Sequence, residues 1–200
     1  MYSAAHLLLS AASAAQFPPD EGREVAIAGR SNAGKSTALN ALTGRRALAR
    51  VSKTPGRTRL INFFELEPGQ RLVDLPGYGY AAGARTERDR WAALAEALIP
   101  RRSLQGLILV VDARRGLSSV DEQLIDWARS HQRAVHVLLS KCDQLRRNEA
   151  RLLLTRVQMQ LADRAAAQLF SAREGLGVDA AREVLSAWLA DAEKKKPRQS

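Results

Sequence analysis

Apolar residues along this chain follow two kinds of pattern. Some form short unbroken runs that end at Gly, Asp or Ser; others recur at three- and four-residue intervals between those runs. The first kind marks strands buried in a parallel sheet, the second amphipathic helices. Six strands are predicted: 24–28 (EVAIA), 60–66 (LINFFEL), 71–75 (RLVDL), 107–112 (LILVVD), 134–140 (AVHVLLS) and 167–171. LILVVD is apolar enough to belong at the sheet's centre. Helices are predicted over 35–42, 86–99, 120–130, 149–162 and 178–190. Trp91, Leu94 and Leu98 mark the inner face of the second. Leu152, Leu153, Val157 and Leu161 mark that of the fourth, and Val184, Leu185, Trp188 and Leu189 that of the fifth. Strands alternating with helices predict an α/β domain with a mostly parallel sheet.

Composition narrows this picture. Two hundred residues suit one domain, spanning 23–190, preceded by a segment over 1–22 and followed by a basic tail over 191–200. The start, MYSAAHLLLSAASAAQ, faintly imitates a secretory leader. It has no Lys or Arg before its apolar stretch, and three leucines make a short apolar core. A packed segment leading through Pro18-Pro19 into the first strand is expected instead. No apolar run approaches the roughly 20 residues needed to span a bilayer. One cysteine, Cys142, excludes an internal disulfide and suits a reducing compartment. The formal charge of +10 favours an anionic partner such as nucleic acid or a nucleoprotein. Arg85, Arg88, Arg90, Arg101, Arg102, Arg146 and Arg147 are candidates for phosphate contact, against the alternative of solvated surface arginines.

The candidate chemistry starts where the first strand ends. Gly29-Arg30-Ser31-Asn32-Ala33-Gly34-Lys35-Ser36 fits GxxxxGK[ST] and opens a helix, the context a phosphate loop needs. Successive amides and the helix N-terminus form an anion nest. Lys35 is placed for the β- and γ-phosphates, and the Ser36 hydroxyl for Mg2+. Asp74-Leu75-Pro76-Gly77 follows a strand about forty residues later. Its carboxylate suits the metal through water, and the Gly77 amide suits a γ-phosphate. Ser140-Lys141-Cys142-Asp143 follows a later strand. A carboxylate accepts two hydrogen bonds from guanine and none from adenine, so Asp143 selects guanine. Lys141 can lay its methylenes along the base. Phe170-Ser171-Ala172 offers backbone amides to the guanine O6. The loop Ser52-Lys53-Thr54-Pro55-Gly56-Arg57-Thr58 holds two threonines able to complete a Mg2+ shell, and chemistry alone leaves both open.

In this order, GRSNAGKS, TPGRT, DLPGYGYA, SKCD and FSA resemble the EngB (YsxC/YihA) family of small bacterial GTPases. The resemblance runs from about Glu21 to Ala190. It implies a single Ras-like P-loop GTPase domain with a six-stranded sheet. It implies GTP and GDP as ligands, Mg2+ as cofactor, and a cytoplasmic, monomeric protein. Its implied role is assembly of the large ribosomal subunit, with a link to cell division and septation. By position it places the magnesium ligands on Ser36 and Thr58. It places nucleotide contacts on Gly29 through Ser36, on Gly56, Arg57, Thr58, Arg59 and Leu60, on Asp74 through Gly77, on Ser140 through Asp143, and on Phe170, Ser171 and Ala172.

Two departures bear on mechanism. Tyr78 follows Gly77 where Ras-type enzymes carry a water-orienting Gln, so slow intrinsic hydrolysis is expected. Asn32 resembles the asparagine of potassium-stimulated relatives, and a K+ beside the phosphates would act with Lys35 on transition-state charge. Ser140 stands where the broad pattern has Asn, which predicts micromolar nucleotide affinity, near −8 kcal/mol. The alternatives are a P-loop kinase or ATPase, against which Asp143 argues, and an RNA-binding scaffold with an inactive site, against which Lys35, Ser36, Thr58 and Asp74 argue.

Overall fold

The computed structural model describes Tyr2 and residues 4–49, 60–79 and 85–190. Its strands are β1 (His6–Ala11), β2 (Arg23–Gly29), β3 (Ile61–Glu67), β4 (Gln70–Asp74), β5 (Leu104–Asp112), β6 (Ala134–Ser140) and β7 (Ala166–Leu169). Its helices are α1 (Lys35–Thr43), α2 (Arg85–Leu98), α3 (Ser119–Ser130), α4 (Arg147–Leu161) and α5 (Val178–Leu189). The sheet order is β1-β3-β4-β2-β5-β6-β7. β1, β3 and β4 pair antiparallel. β4, β2, β5, β6 and β7 run parallel.

The sheet has one strand more than the six expected. The extra strand is β1, within the N-terminal segment. Its HLLLS run lacks the period of two that marks a half-buried strand, because the pairing with β3 shifts register between Leu7 and Leu9. Leu7 and Leu8 stay largely exposed, while Leu9 packs against the core.

Alternation along the central strands builds two cores. On β2, Ala26 and Ala28 face the layer that holds Leu94 and Leu98 of α2, Ile125 of α3 and Leu161 of α4. Val25 and Ile27 face Leu39 and Leu42 of α1 and Leu185 of α5. Trp91 and Trp188 are half-buried, each packed against one of these layers. One helix face departs from expectation. Leu152 is not on the inner face of α4, being 68% exposed. Ala150, Val157 and Leu161 form that face, with Leu153 and Leu154 half-buried beside them. A helix turns 100° per residue, which carries position 152 to the far side from 157 and 161.

At the sheet end away from the glycine loop, buried Glu24 accepts from Arg71 Nε at 2.8 Å and Arg101 Nε at 2.9 Å. The same guanidiniums bond the carbonyls of Pro18, Pro19 and Glu21 and so tie the N-terminal segment to the sheet. Arg101 is therefore removed from the candidates for phosphate contact; its side chain is committed to Glu24. Arg88, Arg90, Arg102, Arg146 and Arg147 are exposed.

His136 of β6 is buried against β7, its Nε2 2.8 Å from Gln168 Oε1. Burial pulls its pKa below 6.5, more than the Gln168 contact raises it. The unfolded chain then takes up a proton more readily than the folded one. Stability is expected to be fully present above pH 6.5 and to fall as pH drops below it. Denaturant unfolding from about pH 8 to about pH 5.5 should show a steeper fall for wild type than for His136→Gln.

Candidate functional site

The parallel strands β2, β4, β5 and β6 deliver their carboxyl ends to one rim, where ligands of such sheets bind. Gly29 closes β2 there. A Cβ at Gly29 would stand 2.5 Å from the Val110 carbonyl oxygen, so no other residue fits without moving β5. The chain turns through Asn32 (φ 65°) and Gly34 (φ 96°) into α1. Gly34 is the N-cap, so the amides of Gly34, Lys35 and Ser36 have no intrahelical acceptor. Together with the loop they form the expected anion nest. Lys35 Nζ forms an ion pair with the buried carboxylate of Asp74 at the end of β4.

The DLPG segment is bonded onto this loop. Leu75 N donates to Ile27 O at 3.0 Å, and Ser31 N to Tyr78 O at 2.9 Å. A Cβ at Gly77 would lie 3.1 Å from Ser31 Oγ, so only the glycine lets the two loops lie this close. Tyr78, which replaces the usual Gln, turns inward. Its ring meets Trp91 of α2 edge-on at 5.0 Å, and its hydroxyl donates to the buried carboxylate of Asp121 in α3. Burial and the adjacent Asp121 push the phenol well above its ordinary pKa. It remains a neutral hydrogen-bond donor committed to Asp121. Trp91 Nε1 also donates to Pro76 O at 2.8 Å.

The expected base site lies across the rim. Ser140 Oγ reaches Ala33 O and, at 3.1 Å, Val111 O, joining β6 to the phosphate loop through one hydroxyl. Lys141, at φ 57°, bonds Asn32 O at 2.6 Å and Asp112 Oδ2 at 2.9 Å. Burial pushes the Asp112 carboxyl up, but the bonds from Arg114 and Lys141 outweigh it and hold the group well below the usual carboxylate range. Cys142 is buried and serves as packing. Asp143 is the middle residue of a short turn over Cys142–Gln144, half-buried, and its carboxylate accepts no hydrogen bond among the described residues. Of the Phe170, Ser171 and Ala172 amides, two are already engaged. Phe170 N donates to Leu139 O and Ser171 N to Leu176 O, both at 2.9 Å. The Ala172 amide is left for a base. Leu60 is described and 39% exposed, whereas Gly56, Arg57, Thr58 and Arg59 lie outside the described residues, as does Thr54.

Three functional residues escaped sequence reasoning. Asp112, Asp121 and Trp91 hold Lys141, Tyr78 and Pro76 in place. Asp121 carried a readable signal, since Ser118 and Asp121 form a capping box at the start of α3. Nothing local marked Asp112 or Trp91 as part of the site.

The metal expected here meets a suitable donor set. Ser36 and Asp74 present oxygen only, and no group of three or more His, Cys, Asp or Glu side chains stands ready for a metal among the described residues. That suits a hard cation held mainly by phosphate oxygens and water, which is how Mg2+ binds.

A doubly flanked parallel sheet, a phosphate loop on its central strand and a carboxylate poised beyond β6 define a P-loop GTPase, a protein that binds GTP and GDP and hydrolyses GTP. A family model described as 50S ribosome-binding GTPase matches residues 24–141. A probable GTP-binding protein EngB from Coxiella burnetii is 48% identical over 191 residues, covering 94% of this chain and 93% of that protein. Its counterpart from Tolumonas auensis is 48% identical over 187 residues, covering 92% and 88%. The chain belongs to the EngB family of GTP-binding proteins. Among solved structures, a probable GTP-binding protein EngB superposes with a TM-score of 0.67 at 22% identity, covering 83% of this chain and 98% of that one. Aquifex aeolicus Era bound to GDP and aluminium fluoride gives 0.67 at 19%, covering 90% and 60%. At such identities these two speak for the fold alone. Family membership decides against the kinase or ATPase and the inactive-scaffold alternatives. No helix among the described residues is long and apolar enough to cross a membrane.

Proposed function

We propose that this GTPase is a nucleotide switch in assembly of the large ribosomal subunit, required for normal cell division and septation, working as a cytoplasmic monomer. The observation that carries the switch is the bond between Ser31 N and Tyr78 O. It wires the DLPG loop to the phosphate loop, so a γ-phosphate reaching the Gly77 amide acts on both at once. The ribosomal target rests on the description of the matching family and on the formal charge of +10. Sedimentation of the protein with large subunits tests it. Co-sedimentation is expected with a non-hydrolysable GTP analogue and much less with GDP; equal amounts in both states would rule out a switch.

Within the site, Ser36 and Thr58 would hold Mg2+, with the Asp74 carboxylate as a further oxygen donor beside it. When bound, the metal would supply positive charge to the nucleotide's phosphates. Lys35 leaves Asp74 to bind those phosphates. Gly29 through Ser36 are assigned to the phosphates, Ser140 through Asp143 with Phe170 through Ala172 to the guanine, and Gly56 through Leu60, by family position, to the nucleotide. Tyr78 positions no water, so intrinsic hydrolysis is slow. Asn32 would hold K+, which would supply positive charge where an arginine finger does in other enzymes. Turnover is expected to rise at least about tenfold when potassium replaces sodium. Equal rates in the two salts would remove potassium from the mechanism.

A further inference from the structure

Helix α4 carries an outward ridge that the nucleotide site does not use. Leu152 and Met159, 68% and 76% exposed, sit two turns apart on one line. Asn148 and Thr155 lie beside them on the same exposed side. The opposite side, Ala150, Val157 and Leu161, is the one buried in the core. Arg151 borders the ridge on one side and Arg156 on the other, with Arg147 further round the first turn; all three are exposed, and none forms an ion pair among the described residues. The acid in the same stretch, Glu149, already accepts the Arg146 amide at 3.0 Å. An apolar line with three free guanidiniums on its rim is thus left facing solvent. The other exposed large apolar residues are scattered over β1, the start of β3, α3 and the loop before α5.

The layout distinguishes between partners. A nucleic acid offers phosphates and sugars, and its contacts put cations at the centre of the footprint. Here the centre is Leu and Met and the cations are peripheral. Protein interfaces have that plan, with a dry apolar core, a charged rim, and enrichment in Met and Arg. Three unpaired positive charges on the rim call for carboxylates opposite them. We propose that the outward face of α4 docks a protein component of the large ribosomal subunit, through an apolar groove bordered by Asp and Glu side chains. The assignment rests on the ribosomal reading above and adds the surface and the chemistry of its partner. The turn that carries Asp143 runs directly into α4, so the docked helix is continuous with the base site.

The test is sedimentation of the full chain with large subunits and a non-hydrolysable GTP analogue. It compares wild type, a Leu152→Ser/Met159→Ser double variant and an Arg147→Gln/Arg151→Gln/Arg156→Gln triple variant. All five side chains are exposed, so GDP binding and unfolding temperature are expected to match wild type and to certify the fold. The double variant is expected to lose at least about tenfold in affinity. The triple variant should weaken less and show a shallower salt dependence. A double variant that binds like wild type overturns the assignment. If the triple variant then loses most of its binding and its salt slope falls by about three charges, the face contacts RNA instead. Wild type that fails to bind subunits overturns the ribosomal reading itself, an outcome distinct from wild type binding while the variants are indifferent.

Discussion

Asp143→Ala is expected to weaken GDP binding by about a hundred- to a thousandfold, or roughly 3–4 kcal/mol. The carboxylate stands half-buried on a short turn beyond β6 with no partner among the described residues. It is placed to accept from guanine N1–H and the exocyclic amine, and each hydrogen bond to a charged group contributes about 1.5–3 kcal/mol. Competition with fluorescent GDP reads the effect directly. ATP should compete poorly with wild type, because adenine has no donor pair for the carboxylate, and its disadvantage against GDP should shrink in the variant. Retained GDP affinity in the variant would mean that the base is read elsewhere. Phe170 and Ser171 have spent their amides on Leu139 and Leu176, which leaves the Ala172 amide, of the three, open to a contact with the base. That contact is backbone, so no side-chain substitution at position 172 removes it, and the loss on mutating Asp143 is not masked by a second side chain.

Glu24→Ala should be the most destabilising single change, costing about 3–5 kcal/mol and lowering the unfolding temperature by roughly 10 °C. Glu24 is wholly buried and holds Arg71 and Arg101, whose side chains are each about 10% exposed. Removing the acid leaves two guanidiniums in a poorly hydrated place with carbonyl partners and, for Arg101, Asp20 at 3.9 Å. The loss should not reach the nucleotide rim, since Glu24 lies at the opposite end of β2 from Gly29. Calorimetry checks the first part and GDP affinity at low temperature the second. A variant as stable as wild type would mean that the ion cluster holds nothing together. A sharp contrast is expected with Arg129, whose partner Asp163 is 86% exposed; breaking that pair should cost at most about 1 kcal/mol.

Tyr78 shows how a local rule and a tertiary outcome combine. The residue type alone said that no Gln orients water after DLPG. Where the ring goes was settled by Trp91 and Asp121, 13 and 43 positions further along the chain. The same split runs through the whole protein. Strand and helix order was legible because each element sets its own apolar period, and because glycine at 29 and 34 marks backbone that other residues do not tolerate. The phosphate loop was legible for the same reason: its function is carried by contiguous backbone amides. The carboxylate proposed for guanine could be picked out because it sits at a set place after a strand.

What could not be read involved partners distant in sequence. β1 was hidden by a bulge that broke its alternation. Leu152 looked like core by residue type, next to Leu153, although the helical period sets it opposite Val157 and Leu161. Arg101 looked like a surface cation until Glu24, 77 positions away, claimed it. The sequence by itself determined the family and the order of the main elements, and it marked the residues proposed to meet phosphate and base, since these rest on short-range backbone geometry. Only the tertiary structure decided which charges are buried and paired, which amides remain free, and which face of α4 is left to a partner, since burial is a property of the packed whole.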